Sequence, residues 1–163
     1  MIAFSDCSFC FDVAETRNLY MVQSVSSQKL AGVLNREWGN MRDTTQIAPL
    51  RILLQVNTSG EETKGGVEPG DVLPVVSFIL KQCPSLSFCG FMTIGKPGEV
   101  YEQDFISLRN IMEDAKREFS LTDGQCLLSM GMSSDYTAAI AHGSDMIRVG
   151  TAIFGAREYK SKE

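Results

Sequence analysis

Apolar residues in this chain fall into short runs that alternate with stretches of helical spacing. Leu19-Tyr20-Met21-Val22 predicts a strand, after which Ser26 or Ser27 caps a helix carrying Leu30, Val33, Leu34 and Trp38. The polar stretch Gly39 to Gln46 reads as a loop, and Ile52-Leu53-Leu54-Gln55-Val56 as the next strand, ending in Asn57-Thr58-Ser59-Gly60. Val72, Val75, Val76, Ile79 and Leu80 mark an apolar helix face; Pro74 is tolerated if that helix begins near Asp71. A strand from Leu86 to Met92 then ends in Thr93-Ile94-Gly95. The next helix carries Phe105, Leu108, Met112, Ala115 and Phe119, and a strand from Cys126 to Met130 ends at Gly131-Met132-Ser133. A short helix from Asp135 to His142, stopped by Gly143, precedes a last apolar run, Met146-Ile147-Arg148-Val149, ending at Gly150-Thr151.

Strict alternation of strand and helix without hairpin dipeptides predicts right-handed βαβ units and a parallel sheet. The near-continuous apolar strands fit a sheet covered on both faces. A doubly wound open sheet usually carries its glycine-rich phosphate loop after the first strand. Here Gln23-Ser24-Val25-Ser26 follows instead. A (β/α) barrel puts its phosphate site at the last strand ends and a short extra helix, where this chain has Gly131, Ser133, Gly150 and Thr151. The predicted fold is therefore α/β, a partial TIM-type (β/α) barrel of about five parallel βα units. At 163 residues the chain is well short of the roughly 250 that such barrels usually have.

Composition narrows the function classes. Fifteen Lys+Arg against 20 Asp+Glu give a formal charge of −5, which favours neither a nucleic-acid surface nor an acidic membrane face. No apolar run reaches the length of a membrane span, and residues 1–17 hold three acids and no base before Arg17. The expectation is a soluble cytoplasmic protein that uses neither nucleic acid nor membrane. Five cysteines read as free thiols, and Cys7-Ser8-Phe9-Cys10 lacks the further ligands of a zinc site.

Parallel strands would bring Asn57, Thr58, Thr93, Gly131, Met132, Ser133, Arg148, Gly150 and Thr151 to one end of the sheet. Backbone N–H groups at Gly150 and Thr151 would form a phosphate cup that needs no excess of basic side chains. The plainer alternative makes Gly150 a turn residue and Thr151 an N-cap. Arg148 inside an apolar strand either meets a carboxylate or points at a ligand. His142 beside Gly143 suits a helix C-terminus, and no nucleophile–His–acid set is visible.

The strings LLQVNTSGEETKGGV, GFMTIG, SMGMSSDYTAAIAHGS and IRVGTAIFGAREY closely resemble the pyridoxal-phosphate homeostasis protein family. Asn18 to Val25 resembles the family's segment entering its middle strands, so the likeness covers residues 18–160. It implies a non-catalytic, barrel-shaped binder of pyridoxal 5′-phosphate, similar to the N-terminal domain of alanine racemase and involved in vitamin B6 balance. It further implies that Ser133, Gly150 and Thr151 grip the cofactor phosphate, that Met132 lies in the adjoining loop, and that Arg148 lies near the ring.

The family's Schiff-base lysine, in an S-K-T-K-P-like string, and its later G-E-N-Y-like segment are absent here. Residues 1–17 are read as a non-matching segment and 18–163 as the C-terminal part of the barrel domain, without the family's first strands. The expectations are weak, non-covalent cofactor binding and self-association through an open sheet edge. Two alternatives stand beside this: a truncated isoform that binds nothing, and a racemase-like enzyme using the same cofactor.

Overall fold

The computed structural model describes residues 19–45, 47–61, 65–95 and 102–155. Five strands alternate with helices: β1 (Met21–Val25), α1 (Gln28–Thr45), β2 (Leu50–Gln55), α2 (Val72–Gln82), β3 (Leu86–Met92), α3 (Glu102–Phe119), β4 (Leu127–Met132), α4 (Tyr136–Ala141), β5 (Met146–Arg148) and α5 (Thr151–Phe154). All pairings are parallel, and the strand order in the sheet is the order in the chain. The expected partial barrel is present.

The differences from expectation have local causes. The first strand lies further along than Leu19 to Val22, and Ser27 rather than Ser26 caps α1, accepting from the Leu30 N–H at 3.1 Å. The expected loop from Gly39 is helix as far as Thr45, while Gln46 lies outside the described residues. The helix continues because it is tied down there. Trp38 Nε1 donates to the Ala48 carbonyl at 2.9 Å, and Arg42 Nε to that of Ile47 at 2.9 Å. Gly39 is a contact glycine, not a breaker; a Cβ on it would sit 3.0 Å from Ser85 Oγ. Leu80 turns away from the α2 face and is exposed. Strand β4 runs on through Gly131 to Met132, so the turn begins only at Ser133.

Three of the four strand pairings slip register. Val22 and Val25 face Ile52 and Leu54, Ile52 and Leu54 face Phe88 and Phe91, and Ser129 and Met132 face Met146 and Arg148. In each pair one strand spends an extra residue, the signature of a β-bulge, which bends the strand and sharpens its twist. Two of the bulges hold glycines at positive φ, Gly90 at 136° and Gly131 at 93°. The bends curl the sheet so far that its two edge strands meet across the concave side: Gln23 Nε2 of β1 lies 3.7 Å from Met146 Sδ of β5.

The curl divides the interior in two. On the convex side Ile52, Leu54, Phe88, Phe91, Leu128 and Met130 pack beneath Leu34, Trp38, Val76, Ile79, Phe105 and Leu108 of the helices. On the concave side Leu53, Cys89 and Met92 form a second cluster, with Met21, Leu127 and Met146 around it. Each bulge resets the in–out alternation of its strand, which is why Cys89 and Met92, three positions apart, face the same side. Cys83, Cys89 and Cys126 are free and buried, and burial pushes the Cys83 and Cys126 thiols up from their ordinary pKa. Cys7 and Cys10 lie outside the described residues.

Candidate functional site at the strand ends

Parallel pairing brings the C-terminal ends of all five strands to one face, and their polar groups converge there. Arg148, the last residue of β5, turns inward. Its Nη1 donates to Ser129 Oγ at 2.7 Å and to the Ser129 carbonyl at 3.0 Å, and its Nη2 to the Thr93 carbonyl at 2.7 Å. Arg148 thus makes no ion pair among the described residues; neutral oxygens hold it. Its Nε is buried and has no hydrogen-bond partner among the described residues. Burial pulls the guanidinium pKa down from its ordinary value, opposed by the charge of nearby Asp135.

Two threonines complete this end of the sheet. Thr93, fully buried beyond β3, donates from Oγ1 to the Val56 carbonyl at 3.0 Å and shares a 2.7 Å hydrogen bond with Thr58 Oγ1. Asn57 is held by Glu68, to which its Nδ2 donates at 2.8 Å.

The tips of β4 and β5 join through Ser133. Its Oγ accepts from the Gly150 N–H at 3.1 Å and the Ala152 N–H at 3.3 Å, tying the β4 turn to the start of α5. Thr151, which the plainer reading made an N-cap, is the first helical residue; Gly150 stands in the cap position. Gly150 has φ −116°, where any residue is at ease, and a Cβ on it would meet nothing within 4 Å. Among the described residues neither backbone conformation nor packing demands glycine there, and the space beside it is open. Met132 is fixed by backbone: its N–H donates to Asp135 Oδ1, and its carbonyl accepts from the Asp135 N–H at 3.1 Å. His142 caps the C-terminus of α4 and lies 3.2 Å from Glu102 Oε2, joining α4 to α3.

The structure therefore brings Met132, Ser133, Arg148, Gly150 and Thr151 to adjoining strand tips. The sequence reading missed Gln23 and Ser129, both inside strands and both facing the concave side. Their polarity within otherwise apolar runs was the available signal. A separate 250 Å³ pocket lies at the opposite ends of β2 and β3, among Pro49, Ile79, Leu86 and Phe88. It gathers no convergent charge and is not part of this site.

The fold and its strand-end cluster define a partial (β/α) barrel with polar groups gathered at the tips of β4 and β5. The family model of the alanine racemase N-terminal domain matches residues 10–158, and the chain belongs to that family. The match starts ahead of residue 18, where the quoted motifs begin. The chain is 38% identical over 154 residues to the pyridoxal phosphate homeostasis protein of Caenorhabditis elegans, covering 92% of this chain and 62% of that protein. Against the human protein of the same name it is 38% identical over 149 residues, covering 89% of this chain and 53% of the relative. Among solved structures, PipY of Synechococcus elongatus PCC7942 with PLP bound superposes with a TM-score of 0.79 at 26% identity, covering 95% of this chain and 69% of that one. The chain thus spans little more than half the length of the curated relatives it matches.

Proposed function

We propose that this chain binds pyridoxal 5′-phosphate non-covalently at the tips of β4 and β5 and serves vitamin B6 homeostasis in the cytoplasm without catalysing a reaction. The observation that carries the reading is Gly150. Among the described residues the space beside it is open, and its N–H and that of Ala152 converge on Ser133 Oγ. The cofactor brings a phosphate, an aromatic ring and an aldehyde. Gly150, Thr151 and Ser133 would hold the phosphate through N–H and hydroxyl groups, beside Met132, and Arg148 would face the ring. Lys29, Lys81 and Lys116 stand on α1, α2 and α3, on the outer layer, so no described lysine is offered to the aldehyde.

Calorimetric titration of the size-checked chain with pyridoxal 5′-phosphate tests this. Saturable binding is expected. Ser133→Ala and Thr151→Ala should each weaken it about tenfold, the value of one hydrogen bond to a charged group. A folded chain with no measurable binding would leave the truncated, non-binding reading, and turnover of an l-amino acid to its d-form would favour the racemase.

Self-association belongs to the same proposal. Among the described residues β1 and β5 are the edges of the sheet, and Ile147, Ile153 and Phe154 are exposed at the β5 side. Light scattering across a concentration series should show mass rising above the 17.9 kDa monomer. Constant monomer mass would refute it.

A further inference from the structure

Gln23 lies on β1, the edge of the sheet farthest from Arg148 in strand order, yet one residue separates the two side chains. Gln23 Oε1 accepts from Ser129 Oγ at 2.8 Å, across 106 positions of sequence, and Ser129 Oγ accepts from Arg148 Nη1 at 2.7 Å. The chemistry of a hydroxyl gives this relay a direction. Arginine can only donate, so Ser129 must receive from it with a lone pair, and its single proton must go elsewhere. Gln23 Oε1 takes that proton. The Gln23 amide is oriented in turn by its other end, since Nε2 donates to Met146 Sδ at 3.7 Å.

We propose that Gln23 is a positioning residue for Arg148. By fixing the Ser129 proton it aims a lone pair at Nη1, and with the Thr93 carbonyl on Nη2 this sets the plane of the guanidinium. The role of Arg148 toward a ligand rests on the function proposed above; its orientation by Gln23 does not. Without the Gln23 acceptor the Ser129 proton has no fixed partner, and the lone pair is held on Nη1 less firmly. The curl of the sheet makes the relay feasible, because only a closed-up concave side brings β1 within reach of β4.

Two readouts separate positioning from simple bracing of the barrel. The first is the Arg148 guanidinium signal in nitrogen–proton NMR spectra of the ligand-free chain, resolved while the group is held and averaged when it rotates. The second is affinity for pyridoxal 5′-phosphate with the absorption maximum of the bound chromophore. Gln23→Met, similar in size but without the acceptor, should average the Arg148 signal, weaken binding about tenfold and shift the absorption maximum. Gln23→Glu keeps an acceptor oxygen and should retain the wild-type signal. Ser129→Ala should reproduce Gln23→Met, and the double variant should be no worse than Ser129→Ala alone, because both act on one link.

An unchanged Arg148 signal in Gln23→Met would overturn the proposal, and so would additive effects in the double variant. If Gln23→Met does not fold, Gln23→Glu and Ser129→Ala decide: a lost Arg148 signal in the former or a retained one in the latter overturns it. A wild-type chain that binds no cofactor defeats the function proposed above, while the NMR arm still decides the role of Gln23.

Discussion

Gly90→Ala is expected to lower stability by about 3–5 kcal/mol, near the upper end for single substitutions. Gly90 sits in the β3 bulge at φ 136°, a region that side chains rarely enter. A Cβ there would lie 2.0 Å from the Leu127 carbonyl oxygen and 2.5 Å from the Leu127 nitrogen. Both obstacles are backbone, so no rotamer change relieves them. Relief requires β3 and β4 to part where Gly90, Phe91 and Met92 pair with Leu127, Leu128 and Ser129. Natural domains hold only about 5–15 kcal/mol in reserve, so much of the chain should unfold. Thermal melts followed by circular dichroism check this, with Gly124→Ala as the control, since a Cβ at Gly124 meets nothing within 4 Å. A Gly90→Ala melting curve that overlays the control would show that the bulge is not what positions β4.

Arg148→Met is expected to have its large effect on binding and a small one on stability. Two opposing terms set the stability change. Losing the guanidinium leaves the Thr93 carbonyl without its 2.7 Å donor, a cost of about 1–3 kcal/mol for a buried acceptor. The Ser129 carbonyl suffers less, because it also accepts from the Thr93 N–H at 3.1 Å. Against this, the pKa of Arg148 is held down by burial, which means that its charge costs the folded state something wherever it is protonated. The two should nearly cancel, leaving a change within about 1–2 kcal/mol. Affinity for pyridoxal 5′-phosphate has no such offset and should fall more than tenfold, about 1.4 kcal/mol or more. Arg148→Lys should not restore it, because an ammonium cannot reproduce the planar fork that reaches Ser129 and Thr93 together. Paired melting and calorimetric titrations decide, and a variant that melts early but binds normally would make Arg148 a structural residue.

The alternation of strands and helices was legible because each apolar run is short and bounded by glycine or polar residues. The bulges were not legible. In Phe88-Cys89-Gly90-Phe91-Met92 nearly every position is apolar, so the run carries no in–out phase whose reset could be noticed. The end of α1 was misjudged for a related reason. Gly39 looked like a breaker because its closeness to Ser85 exists only once α1 packs on β3. Ser133, Gly150 and Thr151 could be picked out at strand tips because topology alone places tips together. Gln23 and Ser129 were marked only by their polarity; their contact could not be read, since it depends on how tightly the sheet curls, and that depends on the unseen bulges.

The match between strand order and chain order also sets a schedule for synthesis. Each new strand pairs with the one made just before it, so the sheet can grow during translation by short-range steps. The contacts of Gln23 with Ser129 and Met146, 106 and 123 positions away, are the exception. The first waits for β4 and the second for β5, the last described strand. Arg148 and the open Gly150 arrive with that same strand. A nascent chain therefore acquires most of the described hydrophobic layer before it has any of the β5 tip.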